Sequence, residues 1–307
     1  MQRYIVVRLS HALLALFAVS IIVFSLARVS GNPMDVLLPD DATEQDFIQT
    51  AELWGLDKPL HIQYLVYLNN IFHGNFGVSI KWPGQSTRDL IMARLPATLQ
   101  LSALSLVVAA GIALPLGVLV AVKKDTSVDY AGKVVALLGQ SAPSFWVGVV
   151  LIWIFAVTLG WLPASGRDGI ANIILPAFAL GWFQVAAVMR LTRSSMLEVL
   201  DSEYVKLARI KGIPEWKVIW KHCLRNAAIA PLTYFGFILG GFLTGSVVIE
   251  TVFAWPGVGL LAINALRARD FQVVQSVVLF FAVVYILSNL FVDILYAYLD
   301  PRIRYTT

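Results

Sequence analysis

Charge is scarce in this chain. Only 14% of its 307 residues are Asp, Glu, Lys or Arg, 58% are hydrophobic and the mean hydropathy is +0.76, which excludes an ordinary soluble domain. The single cysteine, Cys223, excludes an internal disulfide and a Cys-based metal cluster, and leaves a small residue suited to burial. No GxxxxGK[ST] phosphate loop occurs, and the pairs Gly132-Lys133 and Lys211-Gly212 lack its context, so the chain itself is not expected to hydrolyse ATP. Ionisable groups are sparse in the apolar runs: His11 opens the first, Glu250 ends the fifth and Asp293 sits in the last third of the sixth. An ion-coupled carrier needs more acids at mid-membrane, and an intramembrane hydrolase needs a base near a nucleophile, for which His11 has no partner. No linker, repeat or low-complexity tract divides the sequence.

Long apolar runs are what the chain does have. A hydrocarbon core about 30 Å thick takes roughly 20 apolar residues of helix. Runs free of charged residues extend over Leu9 to Ala27, Leu95 to Val122, Val134 to Gly166, Gly169 to Met189, Asn226 to Ile249 and Phe271 to Val292. They predict an all-α membrane protein with six transmembrane helices. A further run, Pro59 to Ile80, holds His61, Gln63, Asn69, Asn70, His73 and Asn75, too polar for lipid. Its apolar residues Tyr64, Leu65, Leu68, Ile71 and Phe72 predict an amphipathic helix on the protein or at the interface. The expected organisation is an N-terminal helix over 1–29, an exterior segment over 30–94, a five-helix core over 95–300 with a cytoplasmic loop over 190–228, and a tail over 301–307.

Positive residues resist translocation. Arg3, Arg8, Lys123, Lys124, Lys133, Arg190, Arg193, Lys206, Arg209, Lys211, Lys217, Lys221, Arg225, Arg302 and Arg304 fall in one alternating set of segments. The other short loops hold only Arg167, Arg267 and Arg269, and the long segment offsets its basic residues with acids. Both termini are therefore expected in the cytoplasm. The net charge of +4 is accounted for by topology and anionic lipid headgroups, and calls for no nucleic acid. Arg3 and Arg8 before an apolar run could open a secretory signal, but "SLARVSGNP" offers no small-residue cleavage site, so an uncleaved first helix is expected.

Pro115, Pro143 and Pro176 interrupt apolar spans, and Gly236, Gly240, Gly241 and Gly245 form small-residue pairs in the fifth. Close helix packing explains these residues better than a hinge or a path wall, although both fit.

The most charged stretch, "EYVKLARIKGIPEWKVIWKHCLRN", lies between two of these runs on the cytoplasmic side. Met196, Leu200, Tyr204, Leu207 and Ala208 form one helical stripe, predicting an amphipathic helix from about Ser195 to Lys211. Gly212 then serves as a left-handed C-terminal cap, and Pro214 starts a second helix with Glu215 in its first turn. On spacing alone, a docking element for another subunit and an interfacial pair anchored by Trp216 and Trp220 fit equally. A folded turn around Glu250, Phe253, Trp255, Pro256, Gly257 and Gly259 at the exterior end of the fifth span is either an entrance element or purely structural.

These residues resemble, end to end, the permease subunits of binding-protein-dependent ABC importers, in the branch for dipeptides, oligopeptides, nickel and glutathione. The likeness is carried by "RYIVVRL", "WGLDKPLHIQYLVYL", "HGNFGVS" and "RLPATLQLS", by "TRSSMLEVLDSEYVKLARIKG" with "HCLRNAAIAP", and by "ETVFAWPGVG", "RDFQVVQ" and "DPRIR". Asn75 stands where an Asp is usual. Lys206, Leu207 and Ala208 replace the general Glu-Ala-Ala, a departure that the peptide branch shares.

The resemblance implies a type I importer permease fold: a five-helix core, an N-terminal helix and a long exterior segment. It further implies an ATPase-coupling loop containing Glu203, Tyr204, Lys206, Ala208, Arg209, Lys211 and Gly212. The implied partners are a second related permease, two ATP-binding subunits that hold ATP and Mg, and an extracytoplasmic substrate-binding protein. No cofactor is expected in this chain. The implied setting is a bacterial or archaeal plasma membrane, and the implied cargo is peptide, with glutathione or nickel complexes as the alternative. A polytopic sensor or scaffold, which a docking helix would also suit, is the remaining rival.

Overall fold

The computed structural model describes residues 2–29, 38 and 42–299. The expected tail, with Arg302, Arg304 and the "DPRIR" motif, lies outside them, as do part of the exterior segment and the side chain of Asp293. The helices are α1 (Gln2–Val29), α2 (Glu44–Trp54), α3 (Leu60–Phe72), α4 (Thr87–Val122), α5 (Ser127–Ser141), α6 (Ser144–Leu151), α7 (Ile170–Leu200), α8 (Glu203–Ile210), α9 (Glu215–Lys217), α10 (Leu224–Ala227), α11 (Ile229–Val252), α12 (Val258–Arg267) and α13 (Phe271–Leu299). A π-type stretch, Ile152–Thr158, continues α6, and another, Val218–Cys223, joins α9 to α10. The described residues contain helices and no strand, only an isolated bridge between Val78 and Ser86.

Among the described residues four helices are long and apolar enough to cross a membrane, and up to six crossings result if each of two bent pairs counts as one. The six-span expectation holds in that form, with corrected bounds. α4 begins at Thr87 rather than Leu95 and has 36 residues, roughly 54 Å of helix. α7 runs unbroken from Ile170 to Leu200, past the expected end at Met189.

The third expected span, Val134 to Gly166, is instead two helices that meet at 100°. The cause is Pro143. It offers no N–H and drives the preceding Ala142 into extended conformation (φ −87°, ψ 121°), so α5 stops and α6 restarts beyond the proline. Pro115 and Pro176, by contrast, remain inside α4 and α7.

The chain divides into two compact units, Met1–Ala97 with Pro256–Thr307, and Thr98–Trp255. In the first, Leu90 and Ile91 pack against Val258, Leu261 and Ala265 of α12 and Val273 and Val277 of α13. α1 packs along α13, and Tyr64 and Tyr67 of α3 meet Phe24 of α1 with ring centroids 5.3 and 5.5 Å away. The amphipathic α3 is therefore present, but its inner face is Tyr64, Tyr67, Leu68 and Ile71. Leu65 and Phe72 point outward, 61% and 84% exposed, because the aromatic contact with α1 sets the helix rotation.

Asp270 organises this unit. It is fully buried, and its Oδ2 accepts from Ser79 Oγ at 2.5 Å and from the Ile80 and Lys81 amides at 3.0 Å. Its Oδ1 accepts from the Val273 amide at 3.3 Å, which caps α13.

In the second unit, α7 is central and contacts α5, α6 and α11. Ala109, Ala113, Ala136, Val185, Ala186, Val188 and Met189 form a core of mostly small side chains. Glycines permit this closeness: a Cβ on Gly181 would stand 2.6 Å from the Ser105 carbonyl oxygen. Small-residue packing is thus present between α4 and α7. Of the four fifth-span glycines predicted to serve it, Gly236, Gly240, Gly241 and Gly245, Gly241 and Gly245 face open space within this chain. Asp129, fully buried, receives both Nε and Nη2 of Arg193 at 3.0 and 2.9 Å, Lys133 Nζ at 3.0 Å and the Asp125 amide at 3.1 Å.

Replacing Asp270 with Ala would strand several buried donors at once, and a loss of roughly 3 kcal/mol or more is expected. Ser79→Ala, which removes one of them and the acceptor of the Trp82 amide, should cost about 1–2 kcal/mol. Thermal unfolding of the protein in lipid, followed with proteolysis of residues 74–86, measures both; equal effects would show that Asp270 is not the anchor.

Candidate functional site: the loop surface and the turn after α11

The charged stretch folds as helix, corner, helix, but not as one helix from Ser195 to Lys211. α7 ends at Leu200, and Ser202 takes an extended conformation (φ −72°, ψ 150°) as the N-cap of α8. Glu203 sits in the first turn of α8, where a carboxylate is favoured. This break resets the helical phase. Met196 and Ala208 point inward as the stripe predicts, yet Tyr204 and Leu207 turn outward, 43% and 51% exposed, and Val205 takes the inner position, fully buried.

Val205 and Ala208 sit in a core with Val118, Ala121, Met196, Val218, Cys223 and Ala227. Cys223 is the buried small residue that the sequence suggests, and burial pushes its thiol pKa up.

The corner follows the sequence closely. Gly212 adopts φ +73°, its amide donates to the Arg209 carbonyl at 2.9 Å and the Ile213 amide donates to the Ala208 carbonyl at 3.2 Å. This pair of bonds closes a helix on a left-handed residue, and Ile213 completes it by packing on the core that holds Ala208. Pro214 precedes α9 as its N-cap instead of occupying its first turn.

Two ion pairs brace the outer face. Lys206 Nζ lies 2.8 Å from Glu203 Oε1, and the Arg209 guanidinium reaches Glu215 at 2.8 and 3.2 Å across the corner. Arg209 holds the Glu215 carboxyl below its ordinary value of 4.5. What this pair contributes is therefore complete above that value and lost as pH falls through the lowered one; at neutral pH it is intact, and exposure keeps it weak. Asn226 Nδ2 donates to the Tyr204 hydroxyl at 3.0 Å.

Of the residues named from sequence, Glu203, Tyr204, Lys206, Arg209, Lys211 and Gly212 are exposed and Ala208 is buried. Ala208 seats the helix. The sequence reading missed Ile210, 81% exposed, which with Leu207 puts an apolar edge among the charges. A resetting Ser202 with Glu203 behind it was the available signal.

The turn after α11 has two parts. Glu250, Phe253 and Trp255 are all buried. Thr98 Oγ1 and Ser246 Oγ donate to Glu250 Oε1 at 2.7 and 2.9 Å, the Gly166 amide donates to the Phe253 carbonyl at 3.1 Å and Arg167 lies over the Trp255 ring at 5.6 Å. Ala254 takes φ +47°, and the Trp255 amide donates to the Glu250 carbonyl at 2.8 Å. Beyond Pro256, Gly257 is the N-cap of α12 and Gly259 is buried in its first turn. Glu250, Phe253 and Trp255 are thus turned into the protein, the carboxylate included.

Among the described residues no cluster of His, Cys, Asp and Glu could hold a metal ion. The turn nevertheless carries a cost, because a side chain at φ +47° strains the backbone by about 1 kcal/mol. Ala254→Gly should raise thermal stability by up to that amount, whereas Glu250→Ala, which removes the shared acceptor of two buried hydroxyls, should lower it by about 2 kcal/mol. Calorimetry of the lipid-embedded protein distinguishes the two signs.

Residues 113–305 match the family described as the binding-protein-dependent transport system inner membrane component, and residues 1–102 match its N-terminal region. The oligopeptide transport system permease protein AppB of Bacillus subtilis is 39% identical over 99% of this chain and 100% of its own length. The di/tripeptide permease DppB of Pseudomonas aeruginosa is 38% identical over 99% of each chain. The glutathione permease GsiC of Escherichia coli is 38% identical over 99% of this chain and all of its own. Among solved structures, an amino acid ABC transporter with histidines overlays with a TM-score of 0.49 at 18% identity, covering 70% of this chain and 94% of that one. With both regions matched and relatives aligned along their whole length, the chain belongs to the inner membrane components of binding-protein-dependent transport systems.

Proposed function

We infer that this chain is the non-catalytic permease of an ATP-driven peptide importer and forms half of its translocation pathway. The family supplies the general setting: a multi-pass membrane protein working with an ATPase and a binding protein. Peptide cargo is supported by relatives named for oligopeptides and di/tripeptides, with glutathione as the second reading because a relative of similar identity bears that name. The proposed assembly has a second related permease, two ATP-binding subunits that hold ATP and Mg, and an extracytoplasmic binding protein. Both termini are cytoplasmic in this reading, supported by the Lys and Arg distribution, in a bacterial or archaeal plasma membrane.

The observation that carries the mechanism is the outer face of α8. Tyr204, Leu207 and Ile210 are exposed beside Arg209 and Lys211. They stand on a helix whose other face, Val205 and Ala208, is buried in the bundle. An apolar edge inside a charged rim is the composition of a docking contact. ATP-driven closure of the partner ATPases would move α8 and, with it, the helix ends on which it sits, rocking the bundle between inward and outward openings.

Ile210→Asp places a charge at the centre of the proposed contact without touching the core, since Ile210 is 81% exposed. Substrate-stimulated ATP hydrolysis by the purified complex in lipid should fall about ten-fold or more, because an apolar anchor in a contact centre is worth at least 1–2 kcal/mol. Gly212→Trp, which the positive φ opposes, should uncouple in the same assay. Dipeptides, longer peptides, glutathione and nickel tested in parallel identify the cargo. Native-like stimulation in both variants would make the segment a membrane anchor and end this reading.

A further inference from the structure

Within the first unit, a cavity of about 480 Å³ lies between the C-terminal turn of α1, the α2–α3 region and the first turns of α13. Arg28, Gln63 and Tyr67 belong to its lining, and each carries a buried polar atom without a hydrogen-bond partner: Arg28 Nε, Gln63 Oε1 and the Tyr67 hydroxyl. Buried polar atoms are rarely left unpaired, and three on the residues of one cavity mark its wall as unsatisfied. Burial pushes the Tyr67 hydroxyl up to about 12, so it stays a proton donor.

The lining has both signs. Arg28 and Lys58 are cationic, while the Glu52 carboxylate and the Gln63 carbonyl accept hydrogen bonds. An occupant with an anionic and an ammonium group matches that arrangement.

Depth narrows the choice. Arg28 is the last residue of the apolar span Ile5–Arg28, of which 17% of the most apolar window is buried, so the cavity lies at the edge of the hydrocarbon layer on a lipid-facing helix. Along α13 the polar lining residues Gln272, Gln275 and Ser276 give way to Leu279, and from there Phe280 and Val283 line a second cavity of about 140 Å³ with Ile91 and Met92. The two cavities share Ile71, Phe76 and Leu279. A hydrophilic peptide carries the same two charges, but it has no group for an apolar cavity continuing toward the bilayer centre.

We propose that these paired cavities hold one zwitterionic phospholipid. Its phosphodiester meets Arg28, Lys58 and Tyr67, its ammonium meets Glu52 and Gln63, and one acyl chain lies along Leu279 and Val283. The lipid fastens α3 and the exterior turn to α1 and α13, independently of the cargo.

The test uses the whole complex, delipidated in detergent and titrated with dioleoylphosphatidylethanolamine, with bound lipid counted by native mass spectrometry. Arg28→Met and Tyr67→Phe should each weaken retention of one lipid by about ten-fold, the usual consequence of losing a hydrogen bond to a charged group. Val283→Trp, which fills the apolar cavity and leaves the headgroup residues in place, should do the same. Equal retention by the native complex and all three variants overturns the proposal. So does stabilisation by O-phosphoethanolamine or inorganic phosphate equal to that by the whole lipid, which would make the occupant a soluble anion. Displacement of the lipid by a dipeptide would make the cavity a cargo vestibule and overturn it as well.

Discussion

Every helix leaves backbone groups without an intrahelical partner where it stops, and a helix end must satisfy them locally. The same solution recurs here. At Gly55, Gly74, Gly212, Ala254 and Arg269 a residue with positive φ follows a helix, its amide donates three residues back and the next amide donates five residues back from itself. Each end is thereby closed without water and the chain leaves at a fixed angle. The α8 corner, the turn after α11 and the approach to α13 all depend on this closure, so these helices end on hydrogen-bonded caps, not in loose loops.

Rigidity at the corner would be of little use if α8 were only a continuation of α7. The extended Ser202 separates the two, and the change of phase puts Val205 and Ala208 into the bundle while Tyr204, Leu207 and Ile210 face out. Had the helix run on, the stripe from Met196 through Leu207 would have faced inward and Val205, nine residues after Met196, would have stood on the outer face. One broken helix thus yields a buried seat and an exposed apolar edge from eight residues.

This also explains what could be read from the chain in advance. The apolar runs, the corner at Gly212 and the burial of Cys223 were legible because composition and glycine carry them locally. Ala254 and Arg269 fill the same left-handed role as Gly212, but a non-glycine residue there leaves no mark in sequence. Asp270 and Ser79 lie 191 residues apart, and nothing local announces their bond. Lys133 and Arg193 read as topological charges, yet both are bound to the buried Asp129. Pro143 was visible and its effect on Ala142 follows from sterics, but the length of the apolar run concealed that the run contains two helices.

The core under α8 indicates how a push on this surface would travel. Val118 and Ala121 come from the end of α4, Met196 from the last turns of α7, Val218 and Cys223 from the π-type stretch, and Ala227 from the helix leading into α11. Packed interiors hardly compress, so displacing α8 displaces these ends together. Arg193, one turn before Met196, is bound through Asp129 to the start of α5, which adds a further helix to the same body. In the proposed function, a contact at Ile210 and its neighbours would therefore be joined through this packed core to the ends of α4, α5, α7 and α11.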